Sequence, residues 1–367
     1  MTTQMMYDEN DTIISSNTTV ATNSVTYSEY KNFYENAKFA STVICFPIVC
    51  AVGIVGNILI LFILPRRCMR SSNTCYLIGI AAADLVLLVV QVPHLIGGIA
   101  SVKEDRGFIT FNSYYQLARY GISNMCITCT GWLTIAVAVE RFIVIKRPLN
   151  VGQICTVPRA RWITAGIFLV SSALYITNFF EFTPNSAAPN GPLMLMTTLG
   201  KDDTYNQYIF YMDTLVAAFI PFILLFIFNA LLIYHLMRHR HVRRSLSWQY
   251  KVQMAKRKKD KDTQHVTLVV IAIIAMFLLS RSLAIYLNIL CLVYGRTYAF
   301  DTGPQHHLNM GLKYISNLLV NTNASVNFML YSIISSKFQR IFLESCACEK
   351  KKRGYTYTFT ENPISSV

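Results

Sequence analysis

Asp84, Glu140, Arg141 and Arg281 each interrupt a stretch of apolar residues. An ionised group surrounded by hydrocarbon is costly, so its presence calls for a partner and a function. The chemistry open to such groups is narrow. They can hold a cation, pair with one another, or change partners between two arrangements of the same helices. Asn57, Thr130, Asn323 and Asn327 stand in similar runs, and they add amide and hydroxyl groups to that set. For Asn57, Thr130 and Asn323 the plain alternative is hydrogen bonding between helices, at about 0.6–2 kcal/mol each. For Asp84 and Arg141 it is a charge reaching out to water, which Asp84 in mid-run is poorly placed to do. Hydrolytic and metal chemistry find no such support. The chain has no G-x-S-x-G elbow, H-E-x-x-H helix or Gly-rich phosphate loop, and His306-His307 reads as a surface pair. Ten cysteines show no zinc-type spacing, and Cys126 and Cys129 read as buried thiols within an apolar run.

The elements that carry these residues follow from composition. Of 367 residues 53% are hydrophobic and only 14% charged, with a net charge of +14, whereas soluble domains carry about 25% charged residues. The apolar residues come in long blocks, which argues against a basic nucleic-acid binder. A helix needs about 20 apolar residues to cross a bilayer. Seven runs qualify, at about 40–64, 74–100, 112–145, 160–180, 206–237, 265–294 and 308–335. The fold class is therefore an all-α membrane protein, a bundle of seven transmembrane helices. Charge sets its orientation. Residues 1–39 carry a net −3 and residues 181–205 a net −2, while residues 238–262 hold ten Lys and Arg against Asp260 and Asp262. The N-terminus thus faces outside. Asn10 and Asn17 begin N-x-T sequons on that side, as glycosylation requires, whereas the sequon at Asn323 falls within the seventh run. The start of the chain is polar and acidic, unlike a secretory signal.

The domain organisation that follows is an outer tail 1–39, a seven-helix domain 40–335, a membrane-surface helix 336–345 and an inner tail 346–367. In the third, Phe338, Ile341 and Phe342 share one face, flanked by Lys337 and Arg340. Cys346 and Cys348 follow beside the bilayer and are candidates for palmitoylation. The chain ends Ser365-Ser366-Val367, a short pattern that suits a PDZ domain as a ligand. The basic 238–262 segment, read as a helix extension, would attract anionic lipid, or simply reports positive-inside topology.

One motif in each of six spans adds a resemblance. Gly56-Asn57, the run Ala81-Ala82-Ala83-Asp84-Leu85, Glu140-Arg141-Phe142, Trp162, Pro221 and the run Asn323 to Tyr331 stand in the order and spacing of rhodopsin-like G-protein-coupled receptors, over residues 40–345. The resemblance implies a plasma-membrane receptor that couples an outside ligand to a heterotrimeric G protein, with arrestin as a further partner. It gives Glu140, Arg141 and Tyr331 the role of G-protein coupling. It makes Asn57, Asp84, Thr130, Asn323 and Asn327 a polar pocket for a sodium ion, and implies no other cofactor. It also implies a ligand cavity at Gln116, Ser123, Asp213, Arg281 and Lys313.

The departures are equally specific. The usual outer disulfide is missing both halves, since Gln116 takes one position and residues 181–205 hold no cysteine; the loop must be held by packing or move. Phe328 replaces the proline of N-P-x-x-Y, Asn229 a fifth-span tyrosine, and Ser280-Arg281-Ser282-Leu283 the C-W-x-P of the sixth span. Arg281 thus falls between the cavity and the sodium pocket, with Asp84 below and Asp213 above. One expectation is that it pairs with Asp84 and weakens sodium binding; the other is that it caps carbonyls or an aromatic face. Ser123 and Asn321 stand where monoamine receptors and opsins keep an aspartate and a lysine, which argues against both ligands. The seventh-span run ending Val326-Asn327-Phe328-Met329-Leu330-Tyr331 and the fifth-span run from Pro221 to Asn229 are similar to invertebrate FMRFamide-type neuropeptide receptors. The expected ligand is a peptide, with a small chemosensory molecule as the alternative. A transporter or channel would show inverted repeats and broken helices, and neither is seen.

Overall fold

Two prolines shape the helices that frame the site. In the first helix a π-helical stretch, Ala40–Cys45, ends one residue short of Phe46-Pro47, and in the fifth a second stretch, Met212–Phe219, ends just before Ile220-Pro221. Proline has no N–H to donate, so a helix that contains it must rearrange the preceding turn. In the fifth helix the carbonyl of Val216, five residues before Pro221, is taken by the indole Nε1–H of Trp132 at 3.2 Å. The proline is thereby accommodated and the third and fifth helices are joined.

The computed structural model describes residues 27–96, 106–147, 150–184, 194–245, 253–295, 298–334 and 338–342. Among these, seven long helices appear. α1 is Tyr27–Ile63, α2 is Ser72–Ile96 and α3 is Arg106–Lys146. α4 is Val157–Tyr175, continued by a 3₁₀ stretch to Phe180. α5 joins Asp203–Tyr211, Met212–Phe219 and Ile220–Ser245. α6 is Gln253–Tyr294 and α7 is His306–Ile334. The chain is a seven-helix transmembrane bundle. α3 runs through its middle against α2, α4, α5 and α6, and α7 closes the ring between α6 and α1.

Six of the helices are long and apolar enough to cross a membrane by composition alone. The seventh, α7, has 29 residues, about 44 Å at the helical rise, but is rich in asparagine. Asn309, Asn321, Asn323 and Asn327 are all buried, so its polarity faces the bundle interior and not the lipid. The outward faces carry the apolar belt that lipid requires, including Phe62, Trp162, Leu169, Phe226 and Val293, with Trp162 80% exposed.

Several sequence boundaries shift. α1 begins at Tyr27, so residues 27–39, expected as tail, are helix and pack on α7, where Phe33 closes against Gly311. α3 and α6 start earlier than their apolar runs. The expected helix extension is present as far as Ser245 in α5 and again from Gln253 in α6. α6 has no proline and runs unbroken over 42 residues.

The outer loop between α4 and α5 contains the only β-structure among the described residues. β1 (Phe182–Pro184) pairs antiparallel with β2 (Met194–Met196), with Thr183 opposite Leu195. Thr197 fastens its base, its Oγ1–H shared between the carbonyls of Phe180 at 2.8 Å and Glu181 at 3.0 Å. Phe182 meets the edge of Tyr120 on α3 at 6.4 Å between centroids. Phe179 packs so closely on Gly121 that a Cβ there would fall 2.8 Å from the ring. Packing and a hairpin therefore hold this loop, and the described cysteines are free thiols.

Candidate functional site

Two polar layers lie one above the other inside the bundle. In the deeper layer Asp84 is 1% exposed. Its Oδ1 accepts from the Thr130 hydroxyl at 2.8 Å and its Oδ2 from the Asn327 amide at 2.7 Å. This ties α2, α3 and α7 together through one carboxylate. Asn57 extends the layer to α1, donating to the carbonyls of Gly53 and Ala324, each at 2.9 Å. Ser325 adds a bond to the Val49 carbonyl at 2.9 Å. Asn323 is buried nearby in sequence, with its Oδ1 unpartnered.

Above this layer opens a cavity of about 460 Å³. Ser123, Asp213, Arg281 and Lys313 line it, as the sequence suggests, but Gln116 does not. Gln116 stands behind the wall and its Oε1 accepts from Arg119 Nε at 2.7 Å. Arg119 itself lines the cavity and also donates to Gln91 Oε1 at 3.0 Å, while Gln91 Nε2 donates to Ser123 at 3.2 Å. Arg119, Gln91, Tyr175 and Asn288 are cavity residues that the motif reading missed. The signal for Arg119 was available: it lies four residues before Ser123, on the same helical face. Tyr175 had no such signal, because its position depends on how α4 ends. It accepts from Thr128 at 3.2 Å and donates to Asp213, which fixes the carboxylate on the α5 side.

Arg281 is 8% exposed and its guanidinium sits over the Phe277 ring, 5.3 Å from the centroid. Asp84 takes its hydrogen bonds from Thr130 and Asn327, and no direct ion pair between Arg281 and Asp84 forms among the described residues. The aromatic-face alternative describes the geometry. Asp84, Asp213 and Tyr175 remain within electrostatic reach of the guanidinium.

At the inner end of α3, Glu140 Oε1 accepts from Ser72 at 2.9 Å and lies 3.8 Å from Arg141 Nη2. The backbone N–H of Asn73 also donates to the Glu140 carboxylate, and Arg141 Nε donates to the Asn73 side chain at 3.3 Å. The pair is thus clasped to the N-terminus of α2, where free N–H groups and the helix dipole favour an anion. Tyr331 lies near the end of α7, with its side chain outside the described residues. Asn10, Asn17, Cys346 and Cys348 also lie outside them.

Seven helices, the buried Asp84 and the Glu140–Arg141 clasp are what a receptor bundle needs, and comparison with known sequences decides the matter. A family profile described as "Serpentine type 7TM GPCR chemoreceptor Srw" matches residues 43–349. The chain belongs to this family. It is a G-protein-coupled receptor and not an enzyme. Curated relatives include the FMRFamide receptor of Drosophila melanogaster, 31% identical over 307 residues, which are 81% of this chain and 52% of that protein. The Drosophila melanogaster sex peptide receptor is 26% identical over 328 residues, 82% of this chain and 71% of that one. The human thyrotropin-releasing hormone receptor is 24% identical over 332 residues, 84% and 79%. The chain thus spans about half the length of the first of these relatives.

In this receptor the departures have physical readings. Phe328, in place of the proline, packs against Gly56, where a Cβ would lie 2.7 Å from its own Cβ. Its ring meets Phe338 edge-on at 5.9 Å and Phe342 at 6.1 Å. The helical turn at 338–342, with Phe338 and Ile341 buried, therefore turns its apolar face to the bundle. The pocket at Asp84 fits a sodium ion poorly. Thr130 and Asn327 already point hydrogens at both carboxylate oxygens, and Arg281 places a permanent positive charge within reach.

Proposed function

We propose that this chain is a plasma-membrane receptor for an extracellular peptide, which it reports to a heterotrimeric G protein. The observation that carries the reading is the cavity of about 460 Å³, whose walls come from all seven helices, α4 through Tyr175. A ligand there touches every helix whose relative position matters. The named peptide or peptide-hormone receptors among its relatives support the choice of ligand class.

The residues divide the work by depth. Arg119, Asp213, Arg281 and Lys313 meet the ligand. The Asp84–Thr130–Asn327 layer ties α2, α3 and α7 below it. Glu140 holds Arg141 against α2 in the resting arrangement. A ligand that binds better to a shifted arrangement of α3 and α6 raises the population in which Arg141 leaves that clasp and meets the G protein. Tyr331 belongs to the same inner surface. Glycosylation at Asn10 and Asn17, palmitoylation at Cys346 and Cys348, contact of the basic 238–262 segment with anionic lipid, and binding of arrestin and of a PDZ domain at Val367 complete the reading.

G-protein activation in cells expressing the full chain, with a peptide library and an Arg141→Ala control, tests it. A dose-dependent response lost in the control is the expected result. Silence toward peptides at good surface expression, with a response to small molecules, would favour the second reading, a chemosensory receptor. The family's description as chemoreceptors and a cavity size within the ordinary small-molecule range support that reading.

A further inference from the structure

A second recess, of about 610 Å³, lies on the outer wall of the bundle, away from the ligand cavity. Its walls are Leu64 and Pro65 at the end of α1, the face of α2 from Thr74 to Ala82, and Arg161, Thr164 and Ala165 on α4. Gly79 lets α4 come close to α2, since a Cβ there would lie 2.9 Å from Thr164 Cγ2. Cys75, Ile78 and Ala82 are half-buried and Ala165 is exposed, so the recess opens sideways toward lipid. From Ser72 to Ala82, α2 rises about 15 Å, half the thickness of a hydrocarbon core of about 30 Å. The recess is as deep as one leaflet.

Its chemistry changes along that depth. Most of the lining is apolar, but Arg70 and Arg161 stand together at the end where α2 and α4 begin, and both are exposed. This is the end of the bundle that holds the Glu140–Arg141 clasp, since Ser72 and Asn73 of the same α2 turn make its bonds. Neither Arg70 nor Arg161 has a side-chain hydrogen bond, ion pair or ring contact among the described residues. Neighbouring arginines are engaged. Arg159 donates to the carbonyls of Gln153 at 3.4 Å and Ile154 at 2.8 Å, and Arg66 lies over the Phe62 ring at 5.1 Å. Trp162, next to Arg161, is the kind of exposed aromatic residue enriched at head-group level.

We propose that this recess binds an acidic phospholipid, whose head group meets Arg70 and Arg161 while one acyl chain lies along Ile78, Ala82 and Ala165. The inference goes beyond the receptor reading and does not depend on what fills the outer cavity. The planar fork of a guanidinium matches a phosphate group, and each basic side chain at the membrane surface favours lipid of net negative charge. A zwitterionic phospholipid fits the apolar walls equally well, but its own ammonium opposes the two arginines. A sterol offers a single hydroxyl and leaves both guanidinium groups without a counter-charge. The basic 238–262 segment would draw the same acidic lipids by charge alone, at another place in the chain, so the test must read position.

The experiment uses the full-length receptor in nanodiscs of phosphatidylcholine containing a minority of phosphatidylserine. One lipid at a time carries a photoactivatable group in its acyl chain, and peptide mass spectrometry maps the labelled positions. Mole for mole, phosphatidylserine is expected to label residues 64–82 and 161–165 about tenfold more than phosphatidylcholine does. That excess should fall toward one when Arg70→Gln and Arg161→Gln are combined, and should persist when Lys256→Gln and Arg257→Gln are combined. Ala165→Phe fills the recess from its exposed side, keeps both arginines and should remove the phosphatidylserine label; it serves if the double arginine variant fails to fold. Equal labelling by the two lipids in the wild type would overturn the inference. So would a phosphatidylserine excess that survives the loss of both arginines, or a label undiminished in Ala165→Phe. Labelling of these segments by a photoactivatable sterol that added phosphatidylserine does not reduce would assign the recess to sterol and overturn it as well. None of these outcomes bears on the receptor reading, which G-protein activation tests separately.

Discussion

Replacing Glu140 with glutamine should make the receptor signal without ligand. The substitution keeps the size and one acceptor oxygen but removes the charge that holds Arg141 Nη2 at 3.8 Å and receives Ser72 at 2.9 Å. The two side chains are only 7% and 11% exposed, so solvent screening is slight and the loss is that of a charge-assisted contact, about 1.5–3 kcal/mol. If all of it falls on the resting arrangement, the ratio of active to resting receptor rises about 10- to 150-fold. A resting pool that is ~1% active would become about 10–60% active. The assay is ligand-free G-protein activation at matched surface density, with Arg141→Ala as the silent reference. Ser72→Ala should raise activity less, because it removes a single donor. Combined with Glu140→Gln it should add little, since both act on one contact. Basal activity of Glu140→Gln within about twofold of wild type would refute the clasp as the resting restraint.

Exchanging sodium for a large organic cation should leave agonist affinity unchanged within about twofold, because Thr130, Asn327 and the field of Arg281 already serve Asp84; a larger shift in radioligand competition would restore the ion. Phe328→Ala should lower the melting temperature of the detergent-solubilised receptor, by about 2 kcal/mol, less than for a fully buried phenylalanine because Phe328 is only partly buried; an unchanged melting temperature would mean that the contacts with Gly56, Phe338 and Phe342 are slack. Trp132→Phe removes the donor to the Val216 carbonyl and should cost about 1–3 kcal/mol, with the same measurement as the check. Asn10→Gln with Asn17→Gln should abolish the mobility shift that glycosidase treatment gives the wild type, and a remaining shift would place glycan elsewhere.

Much of the fold was legible because lipid imposes a simple rule. Apolar runs long enough to span, flanked by charge on one side, placed all seven helices, including α7, whose composition is less apolar than the rest. α7 shows why counting alone is insufficient. Its asparagines look unsuited to a membrane until Asn321, Asn323 and Asn327 are seen on the inward face, with Asn327 bonded to Asp84. The helix ends were less legible. Residues 27–39 are polar enough to read as a tail, yet they continue α1 because Phe33 and Tyr34 find Gly311 and Tyr314 on α7. That contact lies across more than 270 positions of chain, and no local pattern reports it. The hairpin of β1 and β2 was hidden for the same reason, since its stability comes from Tyr120 and Thr197 and not from an alternating pattern of its own.

The polar layer at Asp84 could be read from residue types because a buried carboxylate has few ways to be satisfied, and Thr130 and Asn327 sit where donors are needed. Arg281 illustrates the opposite case. Sequence order placed it between Asp84 and Asp213 and made an ion pair with Asp84 the natural expectation. The structure spends both Asp84 oxygens on uncharged donors and gives the guanidinium the face of Phe277, four residues away on its own helix. The ring supplies the nearest contact, while Asp84, Asp213 and Tyr175 stay within electrostatic reach of the guanidinium. Lys313 likewise lies over the Phe300 ring, and Arg119 donates to two glutamine oxygens. Which side chains Arg119 and Lys313 meet is set by how the helices and the outer loop pack, and the order of residues along the chain does not report it.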